Sequence, residues 1–411
     1  MKHKFLATLA CTTLMGSLFL TGCGSKQKDA ESKDDTLKVS VSAEYVNYIK
    51  DIKTKFEKQH HVKVTVIEKD MADQIDALPL DGPAGKGPDV FIGGVEDLGH
   101  GGHLLELNKM HAKEFKKNQW DIDTIKGKVY GVPLTTEALM MFYNKDLVSE
   151  APKTFQDLEK IASDSRYMSK YEEGKTTGFL VNWGDFYNSA GLLAGYGGYV
   201  FGKDNTDPKN IGINSPDSIK GIEYAMQWYQ KWPSGMLDNT TTVGNFVNQA
   251  FIDKNAAVVI NGPWAVNDYK DAGINLGIAP IPKLDNGQDY KPFISGKNWV
   301  VSAYTKVPKL AKEWVNYATN AENAYKLYKV NGEAPANQKA LQKVIAENDP
   351  VVSTIDYEQK VGIPVPIIRE MTEVYPVCES LMYDAVKENN AKKAADKAVK
   401  SLKDILEQKY K

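Results

Sequence analysis

Carboxylates set among apolar and aromatic residues hold most of the chemical promise in this 411-residue sequence. Between Leu134 and Leu147 the chain reads LTTEALMMFYNKDL, with Glu137 leading into Ala-Leu-Met-Met-Phe-Tyr. An acid in such company needs a cation, hydrogen-bond donors or a ligand, because a lone buried charge is costly. Three roles fit Glu137: acid catalysis, an ion pair, or acceptance of hydrogen bonds from a bound molecule. His100-Gly101-Gly102-His103 with Glu106, and His60-His61 earlier, have a loose metal-ligand look. Zinc sites need three or four converging ligands, and a glycine-flanked surface turn accounts for this loop, so no metal site is expected. Nothing in the sequence requires a cofactor.

The third reactive position is Cys23. Lys2, His3 and Lys4 form a basic start, and Phe5 to Leu20 is an apolar stretch too short for an ordinary membrane span. Leu20-Thr21-Gly22-Cys23 resembles the lipobox of bacterial lipoproteins, in which the cysteine becomes the lipidated first residue. Residues 1–22 are then a signal peptide and 23–36 a tether, because Gly24 to Thr36 is polar and charged. Of the three cysteines, Cys11 leaves with the signal and Cys23 takes lipid, so Cys378 has no disulfide partner. The core must supply the stability, and about 390 residues suffice for two domains. The formal charge is −2, and removing the two lysines of the first 22 residues leaves −4. With no basic stripe, nucleic acid is not an expected partner.

These groups need a frame. Leu37 to Val41 alternates as a strand, Ile49, Ile52 and Phe56 recur at helical spacing, and Val62 to Ile67 alternates again. A helix near Asp70 to Ala77 and a strand at Val90-Phe91-Ile92 follow. Strand, helix, strand, helix, strand predicts an α/β lobe with a mostly parallel sheet, whose ligands bind beyond the carboxyl ends of the strands. Those ends are Ser42 to Tyr45 and Gly93 to Asp97. Later helices are predicted at Phe155–Ala162, Ile219–Tyr229, Ala311–Tyr328 and Ala391–Leu406. Ala256 to Ile260 reads as a buried strand.

Several stretches together resemble the maltose/maltodextrin-binding proteins of sugar ABC importers. They are LKVSVSAEYVNYIKDIKTKFEKQHHVKVTV, GPDVF, GVPLTTEALMMFYNKDL, FYNSAGLLAGYGGYVF, AVVINGPWAV, and KPF followed by LAKEWV. The resemblance runs from about Leu37 to the C-terminus. It implies a periplasmic-binding-protein-like α/β fold of two lobes, joined by hinge crossovers, with the sugar between them. The first lobe takes 37–135 plus 299–347 and the second 140–293 plus 350–411. It also implies a monomer lipid-anchored on the outer face of the cell membrane, with permease subunits of an ABC importer as partners.

Sugar hydroxyls suit charged acceptors, and the C–H faces of sugar rings pack on aromatic rings. The chain has 7 Trp, 21 Tyr and 13 Phe, enough to interleave with acids. The resemblance places Glu137 where a family carboxylate accepts sugar hydroxyls, and Asp185 and Tyr187 on a family acid and aromatic two apart. The family acid there is Glu, one methylene longer. Trp264 falls on a stacking tryptophan, and Tyr375 where the family has another. Trp183 and Trp299 are expected in the core or at the rim. The first lobe departs from the family pattern, which has a Trp, then an Asp-Arg pair, after the third strand. Here Gly93-Gly94-Val95-Glu96-Asp97 has neither Trp nor Arg, so Glu96 replaces the Asp and Asp97 reverses a charge. The family's early Asp-Lys pair falls on Ala43-Glu44. Maltodextrin binding is expected from these residues, with a different set of first-lobe groups.

Rival readings are the same role for another oligosaccharide, a glycoside hydrolase, and a metal-binding lipoprotein. A hydrolase needs two carboxylates about 5–9.5 Å apart flanking one bond. A tethered two-lobe chain fits capture better than turnover, so no catalytic residue is assigned.

Overall fold

The computed structural model describes residues 36–410. The leader, Cys23 and the tether up to residue 35 lie outside the described residues. The alternation at the start forms the strand Thr36–Val41, burying Leu37, Val39 and Val41. It pairs in parallel with Lys63–Glu68 on one side and Val90–Gly93 on the other. The intervening helix, Val46–His60, buries Tyr48, Ile49, Ile52 and Phe56 and stops at His61, in left-handed geometry. The next helix, Met71–Asp81, starts at Asp70, whose carboxylate accepts from the Ala72 and Asp73 N–H groups.

Two further strands complete this sheet, in the spatial order 63–68, 36–41, 90–93, 298–301, 131–133. Asn298–Val301 is antiparallel to both its neighbours. The sheet is therefore mixed, with four of its five strands running the same way. Its fourth member is a strand that returns from the far half of the chain and runs the opposite way.

A second sheet is built from 276–279, 140–144, 258–261 and 179–180, in that order. Met140–Asn144 lies antiparallel between Leu276–Ala279 and Val258–Asn261, and every residue of this central strand is buried. Each sheet has its own core. Trp299 and Trp314 lie under the first, and Trp183, Trp228 and Tyr290 under the second. Leu341 and Val344, late in the chain, pack into the cluster of Phe142 and Val259.

The helix expected over Ala311–Tyr328 is two helices, Pro308–Ala318 and Ala321–Asn331. The Thr319 hydroxyl donates to the Val315 carbonyl, and the Asn320 side chain accepts from the Asn323 N–H, so the break is capped on both sides. The C-terminal helix runs from Ala391 to Lys409.

Two carboxyls are wholly buried and have no cation beside them. Glu358, on helix Pro350–Val361, accepts the Ile281 N–H at 2.7 Å with Oε1, and its Oε2 has no partner. Burial pushes its carboxyl up to about 8, against the Ile281 N–H and with help from Asp289. Asp123 has no partner for either oxygen, and burial, then Glu96, holds it well above the usual carboxylate range.

Candidate functional site

The floor between the two sheets is made by crossovers that touch backbone to backbone. The Leu134 and Thr135 N–H groups both donate to the Lys297 carbonyl, at 2.9 and 3.1 Å. The Glu137 N–H donates to the Ser295 carbonyl at 2.9 Å, and the Ser295 N–H returns a bond to the Glu137 carbonyl at 3.1 Å. Gly296 permits this approach, since a Cβ there would stand 2.2 Å from the Thr135 oxygen. A third segment joins, with the Thr136 N–H on the Ala334 carbonyl and the Ala336 N–H on the Leu134 carbonyl. Glu137 is thus presented from backbone that three segments hold in place.

Its side chain is ion-paired. Lys297 Nζ lies 2.7 Å from Glu137 Oε1 and 2.6 Å from Glu333 Oε1. The Tyr45 hydroxyl donates to both Glu333 oxygens, at 2.9 and 2.7 Å. Burial alone would lower the Lys297 ammonium, but Glu137 and Glu333 outweigh it and hold it above the ordinary lysine range. Burial, then Glu333, raises the Tyr45 hydroxyl above the ordinary tyrosine range. The ion pair left open for Glu137 by the sequence is present, yet Glu137 also borders open space. With Glu44, Trp264, Lys270, Lys297 and Glu333 it lines a hollow of about 400 Å³, within the usual size of small-molecule sites.

Trp264 stands on the one-turn helix Pro263–Ala265, after strand Val258–Asn261. The Asn261 side chain accepts the Gly262 N–H and donates to the Tyr269 hydroxyl, each at 2.8 Å, which fixes the turn. A Cβ on Gly262 would fall 2.2 Å from the indole, so the ring can lie over the chain only because residue 262 is glycine. Trp264 is 57% exposed, while the other six tryptophans are buried. Trp183 and Trp299 are therefore core residues, as expected.

A second hollow of about 400 Å³ lies on the other side of Trp264, walled by Asn182, Asp185, Tyr187, Asn245, Asn248 and Asp268. Asp185 caps helix Phe186–Gly195, accepting the Tyr187 N–H at 2.9 Å and the Asn188 side-chain amide at 3.3 Å. Burial raises its carboxyl, partly offset by the Tyr187 N–H. The Tyr187 ring is 6.3 Å from the Trp264 ring, and its hydroxyl is 2.9 Å from Ser295 Oγ. Since Ser295 is bonded through its backbone to Glu137, one chain of contacts joins Trp264, Tyr187, Ser295 and Glu137.

The remaining expected residues are placed differently. Glu44 is exposed at the rim of the first hollow, and its carbonyl accepts from Asn331. Tyr375 is half-buried, edge-on to Phe186 at 6.3 Å. Its hydroxyl is pushed up to about 12 by burial, then by the charges of Asp185 and Glu96. Tyr375, Glu96 and Asp97 line neither hollow beside Trp264. Glu96 and Asp97 are exposed in the first turn of the short helix Glu96–His100. The histidines have other partners: His100 Nε2 sits 3.1 Å from the Ile367 carbonyl, and His103 Nδ1 2.7 Å from the Tyr304 hydroxyl. Among the described residues no three His, Cys, Asp or Glu converge as a metal site would require.

Sequence reasoning missed Lys297 and Glu333, and it named Tyr45 only within the strand-end segment Ser42 to Tyr45. One signal was present: a carboxylate entering an apolar run calls for a cation, and Lys297 follows the glycine of the opposite crossover.

Such a floor, with acids and an exposed indole between two sheets, has the chemistry to hold a polar molecule with apolar faces. The chain matches the family model described as bacterial extracellular solute-binding protein over residues 51–354, and it belongs to that family. It is 44% identical over 413 residues to the maltodextrin-binding protein MdxE of Bacillus subtilis, covering 99% of this chain and 98% of the relative. It is 39% identical over 422 residues to a maltooligosaccharide ABC transporter solute-binding lipoprotein of Streptococcus pneumoniae R6, each chain being covered in full. Among solved structures, the maltose-binding protein MalE of Listeria monocytogenes in complex with maltose superimposes with a TM-score of 0.88. It is 45% identical, and the match covers 92% of this chain and 99% of that one.

Proposed function

We propose that this chain is a solute-binding lipoprotein that captures maltodextrins (maltose, maltotriose and longer) outside the cell and passes them to the permease subunits of an ABC importer. The observation that carries this reading is Trp264, an exposed indole at the junction of two hollows whose walls hold carboxylates and amides. A chain of glucose rings has this same alternation of apolar face and hydroxyl edge. Glu137, Asp185, Tyr187, Trp264 and Glu44 are the proposed contacts around that junction. Tyr375, Glu96 and Asp97 form a second group, within reach of a longer chain.

The two sheets are the centres of the two proposed lobes, 37–135 plus 299–347 and 140–293 plus 350–411. Closure is a hinge motion at the touching crossovers. Capture without turnover rests on the two-lobe, tethered design, in which Glu137 Oε1 is held by the Lys297 ammonium. Anchoring would rest on lipid at Cys23, and no helix among the described residues is long and apolar enough to cross a membrane. The protein acts as a monomer in this reading.

A thermal-shift screen of glucose, maltose, maltotriose, longer maltodextrins and unrelated oligosaccharides tests it. A ligand that binds only the folded protein raises its melting temperature by mass action. The maltodextrins are expected to do so, and glucose is not. A shift from an unrelated oligosaccharide with none from any maltodextrin overturns the reading.

A further inference from the structure

The cluster beneath the first hollow draws on four separate segments, through Tyr45, Glu137, Lys297 and Glu333, and its hydrogen bonds can be counted. A lysine ammonium has three N–H donors, and a carboxylate has room for about four bonds. Lys297 spends one N–H on Glu137 and one on Glu333. Glu333 accepts the single Tyr45 O–H, shared between its two oxygens, and one N–H of Lys297, so both of its oxygens are engaged. Glu137 accepts only at Oε1 from a side chain; among the described residues nothing donates to its Oε2. One N–H of Lys297 and one oxygen of Glu137 therefore remain unspent. They belong to groups 2.7 Å apart, and both residues border the same hollow.

We propose that Lys297 and Glu137 together seat a vicinal hydroxyl pair of one glucosyl ring, and that Glu333 with Tyr45 positions the lysine for it. One hydroxyl accepts the free Lys297 N–H while its neighbour donates to Glu137 Oε2. Each bond has one ionised partner, which makes it stronger than a bond between neutral groups. A lysine stem is otherwise flexible. Here Glu333, itself fixed by the buried Tyr45, keeps the ammonium from swinging into solvent. Lys297 is then a ligand-binding residue and Glu333 a positioning residue. The inference rests on the maltodextrin reading and goes beyond it by naming the donor that complements Glu137.

The test uses the whole chain, wild type beside Lys297→Met, Lys297→Arg and Glu333→Gln. Affinities are measured by calorimetry for maltose and a set of monodeoxy maltose analogues, and melting temperatures without sugar. Wild type is expected to lose affinity for at least one analogue that lacks a seated hydroxyl. Lys297→Met should bind maltose about tenfold more weakly or worse, the scale of one lost charge-assisted bond. It should also no longer distinguish that analogue from maltose, which a merely structural lysine would not cause. Glu333→Gln should weaken binding less and keep part of the discrimination. Lys297→Arg keeps the cation, so it should melt near wild type even if Lys297→Met folds poorly. Its planar fork would bond to both carboxylates and blur the same discrimination. If both lysine variants bind maltose as wild type does, or weaken while discriminating among the analogues as before, the seat is overturned and the function stands. If wild type binds no maltodextrin at all, the proposed function falls and the seat falls with it.

Discussion

Glu137 and Glu358 are both withdrawn glutamates, and the molecule treats them in opposite ways. Glu137 sits on the cleft floor beside an ammonium that two carboxylates share. Glu358 lies within the second half at 0% exposure, with one N–H on one oxygen and no cation. The difference shows what would fit a buried acid for the binding role proposed for Glu137. A nearby cation keeps the charge in place and leaves an oxygen free to accept. Without one, desolvation favours the neutral form, as the rise of Glu358 to about 8 records. A carboxyl of that kind secures a fold but offers little to a ligand.

The largest expected effect sharpens the contrast from the Glu137 side. Glu137→Gln keeps the shape and loses the charge-assisted acceptor, so sugar binding should weaken by roughly 1.5–3 kcal/mol. Its melting temperature should fall only modestly, because Lys297 retains Glu333. Calorimetric titration with maltotriose beside a melting curve reads both quantities. Unchanged affinity with a clear loss of stability would make Glu137 an ion-pair residue only, one that serves the fold and not a ligand.

Trp264 comes next, since it borders the same hollow as Glu137 and is proposed to supply the apolar half of the contact. Stacking on one ring should hide about 40–80 Å² of apolar surface, worth roughly 1–2 kcal/mol at about 25 cal/mol per Å², or about five- to thirty-fold for Trp264→Ala. As the other six tryptophans are buried, a change of intrinsic fluorescence on adding maltotriose should come mainly from this indole. Glucose should give little change, because one ring cannot reach the groups on both sides of the cleft together. Equal competition by glucose and maltotriose would point to a single-ring pocket.

The smallest effect on binding, none, is expected from Glu358→Gln, and its signature is in pH. In the folded chain this carboxyl titrates near 8, and in the unfolded chain at the ordinary value near 4.5. Between those values the folded protein holds a proton that the unfolded one has lost. The stability tied to Glu358 is therefore complete below about pH 4.5 and drains as pH rises towards 8. Gln cannot ionise and still accepts the Ile281 N–H. The variant should melt with wild type near pH 4.5 and above it at pH 8 to 9, with the affinity for maltotriose unchanged. A variant that melts lower at every pH would show that a glutamine is poorly accommodated there and would break the comparison.

Much of the frame was legible because periodicity is local. Leu37, Val39 and Val41 alternate, and Ile49, Ile52 and Phe56 fall on one helical face, whatever the rest of the chain does. The break at Thr319–Asn320 was legible in principle, since Asn is a good N-cap, but the apolar spacing continued across it and masked the signal. The direction of Asn298–Val301 was not legible, because it depends on where the chain has travelled between residues 133 and 298. The site divided in the same way. Glu137, Asp185, Tyr187 and Trp264, which line the two hollows, were singled out because each sits in a short characteristic stretch. Lys297 and Glu333 were not, nor was the role of Tyr45, since each is an ordinary residue in its own segment and the group exists only when the crossovers meet. Asp185 carried a second signal, an acid immediately before a helix, which gives its role as a cap.

The glycine beneath Trp264 settles when the ordering of that side chain takes place. Ordering an exposed side chain at the moment of ligand binding draws its conformational entropy from the affinity each time a ligand arrives. With its ring laid against Gly262 and flanked by Tyr187, the indole meets that entropy cost once, during folding. A sugar then finds the platform already set. Adding a single methyl group at residue 262 would leave every proposed contact residue in the chain, yet return that cost to the moment of binding.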